Sequence, residues 1–236
     1  MNKGSLYLIP CTLGDNDPLE VLPITVKQTI ERLNIFIVEN EKTARRFIKR
    51  IYPEKSQPSL QFFILNKHTE ITDLPSFLNP CLKGEHVGLL SEAGCPGIAD
   101  PGADVVKIAH QKNIKVIPLV GPSSILLALM SSGMNGQSFA FNGYLPIDKN
   151  ERKNELKRLE RLSFEKKQSQ IFIETPYRNN KMLEDITNTL AGNTNICVAC
   201  DITLSSEFIK TKTVSDWKKN MVDLHKRPTI FIIHKS

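Results

Sequence analysis

The sequence predicts an α/β domain on a parallel sheet, followed by an α+β domain with a mixed sheet. In the first half, short uninterrupted apolar runs alternate with helix-compatible segments, which is typical of parallel strands covered on both faces. The second half differs, with a charged helix candidate and further short strands, and it resembles an α+β unit with a mixed sheet. We place the boundary near residue 120, which divides the chain into domains 1–120 and 121–236.

The individual elements follow from the same patterns. In the first domain we predict strands at 6–9, 35–38, 62–65, 87–90 and 116–120, and helices at 23–32, 42–51 and 104–112. In the second domain we predict strands at 139–141, 171–173, 196–199 and 229–233, and helices at 151–164 and 181–190. Ligands of open parallel sheets bind beyond the carboxyl ends of the strands, so the loops after the first-domain strands are the first place to look for a site.

Composition excludes several classes of protein. The 236 residues are 40% hydrophobic and 24% charged, which excludes a disordered or fibrous chain, and the net charge of +6 is compatible with a polyanionic partner. The longest apolar stretch, 116–130, contains Pro118, Gly121 and Pro122 and does not predict a membrane span. The apolar run at 6–10 is too short for a signal peptide, and the five cysteines are scattered and odd in number. We therefore expect a cytoplasmic protein.

The most informative segment is the loop 91–102, which follows a predicted strand and contains three glycines and two prolines. Glycine permits close approach of the backbone to a ligand, and proline stiffens the loop. The pattern favours a loop that presents main-chain groups to a nucleotide-like ligand over an ordinary rigid turn. A second candidate, 121–124, follows the fifth strand, and it is compatible with either a ligand contact or a capped start of a helix.

Metal and phosphate-loop signatures do not occur. No G-x-x-x-x-G-K-[ST] motif is present, and the single C-x-x-C at 197–200 lies in a predicted strand, where residues three apart face opposite sides. We expect no metal site.

Basic residues are concentrated on one predicted helix at helical spacing, opposite an apolar face. This stripe is either a solvated surface or a surface that contacts RNA phosphates. The RNA-binding candidates are Lys42, Arg45, Arg46, Lys49 and Arg50.

Five segments in this order resemble the tetrapyrrole-methylase superfamily, and within it the ribosomal RNA small-subunit methyltransferase I group. They are Leu6-Tyr7-Leu8-Ile9-Pro10, the loop 91–102, Gly121-Pro122-Ser123-Ser124, Gly143-Tyr144-Leu145-Pro146 and Glu174-Thr175-Pro176-Tyr177-Arg178. The resemblance implies a two-domain methyltransferase, usually a homodimer, that binds S-adenosylmethionine between its domains. It further implies 2′-O-methylation of a cytidine ribose in small-subunit ribosomal RNA.

Carried over position by position, the resemblance assigns ten cofactor-binding residues. They are Ile9, Pro10, Cys95, Pro96, Ile98, Ser123, Ser124, Thr175, Ala199 and Pro228. The chain departs from the group at Glu92, Cys95 and Ala99, where the group usually has Asp, Thr and Ser, and after Glu39, where an Asp-Thr-Arg stretch is usual. Members of the group commonly continue into a small helical tail beyond the position of Ser236.

The residue that would deprotonate a ribose hydroxyl is not assigned by the sequence. A carboxylate near the strand ends suits this role, and four are candidates: Glu39, Glu92, Asp100 and Glu174. Two alternatives to an RNA methyltransferase remain open. One is a methylase of a tetrapyrrole or other small molecule, and the other is a non-catalytic RNA-binding assembly factor.

Overall fold

The computed structural model describes residues 3–236, and the chain forms two compact units that divide after Ser123. The first unit alternates strands and helices, as its continuous apolar runs predict. Its elements are β1 (Ser5–Ile9), α1 (Pro18–Val21), α2 (Ile24–Arg32), β2 (Ile35–Val38), α3 (Glu41–Ile51), β3 (Gln61–Ile64), a 3-10 turn (Ile71–Asp73), α4 (Leu74–Phe77), α5 (Asn79–Leu82), β4 (Val87–Leu90), α6 (Ala103–Gln111) and β5 (Lys115–Pro118).

All five strands of the first unit are parallel, in the order β3-β2-β4-β1-β5. Successive side chains of one strand enter two different cores. On β2, Ile35 and Ile37 pack on one side of the sheet, and Phe36 and Val38 pack on the other. Helices therefore cover both faces, which is why every residue of β2 is apolar and buried.

The second unit begins with a helix and then builds a mixed sheet. Its elements are α7 (Ser124–Ser132), β6 (Phe139–Tyr144), α8 (Lys149–Lys166), β7 (Ser169–Ile173), a 3-10 turn (Pro176–Arg178), α9 (Asn179–Thr189), β8 (Asn195–Cys200), β9 (Phe208–Thr213), α10 (Val214–Lys219) and β10 (Thr229–His234). The strand order is β6-β7-β10-β8-β9, in which only β6 and β7 run parallel.

One face of this mixed sheet packs against α8, α9 and α10. Phe172 and Phe231 stack at 5.7 Å in that core, and the buried Trp217 donates its indole N–H to the carbonyl oxygen of Ile196 at 3.0 Å. Helix α7 packs against β8, β9 and β10. The C-terminal end of α7 is fixed where Thr211 Oγ1 donates to the carbonyl oxygen of Ser132 at 2.7 Å.

The predicted fold class is confirmed, with a parallel α/β unit followed by a mixed-sheet unit. Every predicted strand and helix is present, with ends shifted by a few residues. Strand β9 is an element that the sequence analysis missed. Its residues are a run of Phe, Ile, Lys and Thr on the edge of the sheet, which lacks the continuous apolar character of the other strands.

Candidate functional site

Three loops meet at the carboxyl edge of the parallel sheet, and the backbone itself joins the first two. The loop after β1 and the loop after β4 exchange two hydrogen bonds. Cys11 N donates to the carbonyl oxygen of Gly94 at 2.9 Å, and Gly94 N donates to that of Cys11 at 3.2 Å. Gly94 has a φ of +69°, which favours glycine. This pairing fixes the two loops against each other.

The third loop, after β5, joins the same cluster. The Cys95 Sγ donates to the carbonyl oxygen of Pro122 at 3.4 Å. A Cβ at Gly121 would lie 2.2 Å from Cγ of Pro10, so only glycine allows this close approach. The structure thus brings the predicted residues Pro10 and Cys95 together with Gly121 and Pro122, on three loops that hold one another.

The central part of the loop after β4 presents bare backbone. Gly97 has a φ of +77°, and a Cβ there would meet only Ala103 N, at 3.9 Å. Ala99 also has a positive φ, of 56°, and the Ile98 side chain between them is 55% exposed. An exposed apolar side chain flanked by open peptide groups is suited to an apolar and hydrogen-bonding ligand.

Ile9 lies at the end of β1, and the assignment of a cofactor contact to it stays a prediction. Its side chain is fully buried in the core among α2, β2 and α3, so only its main chain is available at the rim. Pro10 is buried too, against Gly121. Pro96 is half-buried in the loop after β4, Ser123 ends the first unit, and Ser124 begins α7.

Three of the four candidate carboxylates lie together at this edge. Glu39 follows β2, Glu92 follows β4, and Asp100 lies further along the same loop. Burial, together with a hydrogen bond and the negative charge of Glu39, raises the pKa of Asp100 to about 8. Among residues 3–236 no donor reaches the buried Oδ2 of Asp100, and a buried carboxyl without a donor favours its neutral, protonated form. Glu92 instead accepts from Thr43 Oγ1 at 2.7 Å.

The fourth candidate, Glu174, is different. It lies in the second unit, with a side chain only 3% exposed, and forms a 2.6 Å ion pair with Arg178. A buried and paired carboxylate of this kind holds its neighbouring turn in place.

The remaining predicted cofactor residues lie at one edge of the second unit's sheet. Strand β10 runs antiparallel to β7 and β8, so its start lies beside the ends of both. Thr175 follows β7, and Asp201 N donates to the carbonyl oxygen of Pro228 at 3.0 Å. Ala199 lies within β8 and its side chain is fully buried, so its predicted cofactor contact would involve the main chain.

The predicted basic stripe is present on α3, but intramolecular contacts occupy three of its five cations. Arg45 pairs with Glu41 at 2.7 Å and donates to the carbonyl oxygen of Gln57 at 2.6 Å. Arg50 pairs with Asp15 at 2.6 Å. Lys49 donates to the carbonyl oxygen of Pro53. The helix also carries an acidic residue beside the stripe, since Glu41 is its first residue.

Lys42 and Arg46 are the two cations of the stripe that remain. Over the described range 3–236, neither ammonium nor guanidinium has a hydrogen-bond or ion-pair partner. Arg46 also lines a pocket of about 120 Å³ with Thr12, Thr43, Ser91 and Glu92. The sequence analysis missed this pocket because its lining comes from α3 and from the loops after β1 and β4.

The cysteines and the helices add two further findings. Burial raises the pKa of both Cys11 and Cys95, so these rim thiols are protonated at neutral pH. In the part of the chain from residue 3 onwards, no cluster of three His, Cys, Asp or Glu side chains is placed to hold a metal ion. No helix in that part is both long and apolar enough to cross a bilayer.

The fold matches solved methyltransferases of low sequence identity. The crystal structure of the methyltransferase CobJ superposes with a TM-score of 0.65 at 15% identity, over 99% of this chain and 95% of that one. A uroporphyrin-III C-methyl transferase from Thermus thermophilus, crystallised with S-adenyl homocysteine, superposes with a TM-score of 0.60 at 14% identity, over 98% of both chains. These similarities concern the fold.

No family model matches the sequence, but individual relatives do. Ribosomal RNA small subunit methyltransferase I of Buchnera aphidicola subsp. Schizaphis graminum is 30% identical over 237 residues, which are 99% of this chain and 79% of the relative. The protein of the same name from Bacillus subtilis (strain 168) is 30% identical over 215 residues, or 91% and 69% of the two chains. An identity of this extent, on the same fold, places the chain in the ribosomal RNA small subunit methyltransferase I family.

Proposed function

We propose that this chain is an S-adenosylmethionine-dependent methyltransferase that methylates the 2′-hydroxyl of a cytidine ribose in small-subunit ribosomal RNA. The family membership supports the RNA substrate, since the relatives are named for it. The observation that carries the proposal is the rim of the parallel sheet, where three interlocked loops present open backbone beside the carboxyl group of Asp100.

The residues at the rim fit this methyl donor. The open peptide groups around Gly97 and the exposed Ile98 suit a ligand that combines an apolar nucleoside face with many hydrogen-bonding atoms. When bound, S-adenosylmethionine supplies an electrophilic methyl group on a sulfonium that loses its positive charge on transfer. Carbonyl oxygens such as those of Cys95 and Pro122 are compatible with that charge without pairing it permanently.

The cofactor contacts proposed for this chain are the ten that the family resemblance implies. Ile9 and Ala199 contribute their main chains only, because their side chains are buried. The others are Pro10, Cys95, Pro96, Ile98, Ser123, Ser124, Thr175 and Pro228.

The carboxyl pair is our candidate for the proton acceptor. A ribose hydroxyl becomes a competent nucleophile as its proton leaves, and a general base is most effective when its pKa is near the working pH. Asp100, with its pKa raised to about 8, meets that condition, because its ionised form grows as the pH approaches 8 and that carboxylate can accept a proton. Asp100 is therefore the residue whose carboxylate takes the hydroxyl proton.

The RNA backbone is proposed to contact α3. Lys42 and Arg46 are the cations available for phosphates, and Arg46 lies at the pocket that adjoins the loops after β1 and β4. A phosphate on Arg46 would place the neighbouring ribose near the rim. In keeping with the family, we also propose a cytoplasmic homodimer.

A methyl-transfer assay tests the proposal. The chain is incubated with S-adenosylmethionine carrying a radioactive methyl group and with one of two acceptors, undermethylated small ribosomal subunits or uroporphyrinogen. We expect label in the ribosomal RNA alone. Label in the tetrapyrrole would favour the small-molecule alternative, and calorimetric titration that detects no donor binding would favour a non-catalytic factor.

A further inference from the structure

Tyr177 is a large aromatic residue that the fold leaves exposed. Its side chain is 70% exposed, on the 3-10 turn directly after β7. It follows Thr175 and Pro176 at the edge of the second unit's sheet. This tyrosine packs in no core and lies two residues after the proposed cofactor residue Thr175, so its ring is available to a ligand.

The turn that carries Tyr177 is rigid. On one side, the buried Glu174 carboxylate accepts from Arg178 at 2.6 Å, which closes the turn around the tyrosine. Pro176 restricts the backbone just before the ring, and its carbonyl oxygen accepts from Lys226 N at 3.0 Å. The ring is therefore presented at a fixed place, and little ordering is needed when a ligand contacts it.

The segment before β10 is held against the same turn. Asn179 Nδ2 donates to the carbonyl oxygen of Arg227 at 2.6 Å, and Asn180 Oδ1 accepts from Leu224 N at 2.6 Å. Between these two anchors, Lys226 adopts a φ of +60°, a conformation that non-glycine residues rarely have. The two side-chain bonds stabilise this conformation, which places Lys226 beside Tyr177.

Two nitrogen-bearing side chains border the tyrosine ring. Lys226 Nζ lies 5.8 Å from the ring centroid, and the His225 ring meets it edge-to-face at 6.1 Å and 75°. The lysine is exposed, so its ammonium group remains available to an anion. The result is an exposed aromatic ring with a cation over one of its two faces, which leaves the other face for a stacked ligand.

We propose that Tyr177, with Lys226 beside it, is a stacking platform for an unpaired base of the RNA substrate. Proteins that bind single-stranded RNA stack splayed-out bases on aromatic rings and pair the adjacent phosphate with a lysine or arginine. Lys226 serves that second role here. This inference rests on the proposed function for the identity of the partner, and it adds a base-contacting residue in the second unit to the phosphate-contacting residues on α3.

A pair of RNA probes isolates the contribution of stacking. One probe is a fluorescein-labelled oligocytidine, and the other is an abasic ribose-phosphate oligomer of the same length. Binding of the full chain to each is measured by fluorescence anisotropy in the absence of a methyl donor. We expect Tyr177→Ala to weaken binding of the oligocytidine about tenfold and to leave binding of the abasic oligomer unchanged. Tyr177→Phe should bind like the natural chain, whereas Lys226→Ala should weaken binding of both probes.

Phe164→Ala is the matched control, since Phe164 is an aromatic residue 60% exposed on α8. It should change neither affinity. The inference is overturned if Tyr177→Ala weakens both probes equally or neither, or if the natural chain does not prefer the base-bearing probe. It is also overturned if Tyr177→Ala lowers the affinity for S-adenosylmethionine while RNA binding is unchanged, because the ring would then contact the adenine of the cofactor.

The assay separates this inference from the proposed function. If the chain methylates ribosomal RNA but Tyr177→Ala does not change its binding of oligocytidine, the inference is overturned and the proposed function stands. Binding that depends on Tyr177, in a chain that transfers no methyl group to ribosomal RNA, overturns the proposed function alone.

Discussion

The carboxyl groups of Asp100 and Glu39 lie within hydrogen-bonding reach of each other at the carboxyl edge of the parallel sheet. Burial, and then the neighbouring negative charge of Glu39, raise the pKa of Asp100, so Asp100 keeps its proton to a higher pH than it would in water. The pair comes from the ends of different strands, and the fold is what brings the two groups together.

This pair makes stability depend on pH. The pKa of Asp100 is about 8 in the folded chain, whereas the pKa of an aspartate in an unfolded chain is about 3.9. Between these values the folded chain binds a proton that the unfolded chain releases, so stability falls as the pH rises towards 8. We expect the melting temperature of the natural chain to fall more steeply than that of Asp100→Asn between pH 5 and pH 8. Calorimetry measures this, with the exposed Asp104→Asn as the control, and parallel curves for all three would refute the assignment.

Gly121 is the residue on which the close approach of two rim loops depends. A methyl group in Gly121→Ala would lie 2.2 and 2.4 Å from side-chain carbons of Pro10, so the loops after β1 and β5 must separate. We expect a loss of about 1–3 kcal/mol in the free energy of unfolding, together with weaker binding of S-adenosylmethionine. Gly136→Ala is the control, because a Cβ there meets nothing within 4 Å. Equal stability of the two variants in urea titrations would contradict the described packing.

The two arginines Arg45 and Arg46 are adjacent on α3 but should behave differently. Arg46→Ala removes a cation without an internal partner, and it should lower the slope of RNA affinity against salt concentration by about one. Arg45→Ala loses the bond to Gln57 and the contact with the Phe62 ring at 4.6 Å, so it should lower the melting temperature. Anisotropy titrations across salt concentrations, combined with thermal melts, distinguish the two. If both variants changed the salt slope and the melting temperature equally, the proposal that Arg46, and not Arg45, contacts the RNA would be wrong.

Arg152 holds the amino-terminal end of α8 in the second unit. It forms a 2.6 Å ion pair with Asp185, both side chains being about nine-tenths buried, and it also donates to the carbonyl oxygens of Pro146 and Ile147. Arg152→Ala should cost about 3 kcal/mol of unfolding free energy, because it leaves a buried charge without its main partner. On the same helix Arg161→Ala breaks only an exposed 3.8 Å pair with Glu165, and it should change stability by less than about 1 kcal/mol. Chemical denaturation that shows similar losses for both would be inconsistent with this difference in burial.

The sequence was sufficient to predict the fold class, for a physical reason visible in β2. Ile35 to Val38 is apolar throughout because each face of the strand enters a different core, and that pattern is local. The edge strand β9 has no such pattern. Its last four residues are Lys and Thr, and the strand pairs with β8 alone at the edge of the sheet. Because the segment Phe208–Thr213 lacks a continuous apolar run, no strand was predicted there.

The state of each site residue could not be predicted in the same way. Arg50 and Asp15 pair across 35 positions of the chain, and no residue near Arg50 in the sequence predicts that partner. The apolar run around Ile9 predicts that its side chain is buried. The family resemblance indicates only which positions contact the cofactor, and it does not say whether the main chain or the side chain makes the contact. Tyr177 belongs to the 174–178 motif of the family, and only the fold shows that its ring is exposed beside Lys226.

The most direct test of the central claim is nucleoside mass spectrometry of the methylated product. Small-subunit ribosomal RNA from cells that lack this chain is treated with the chain and S-adenosylmethionine, then digested to nucleosides. We expect 2′-O-methylcytidine to appear in the treated sample and to be much reduced when the Asp100→Asn variant is used. A methyl group on a base, or ribosomal RNA with no new methylation at all, would contradict this expectation.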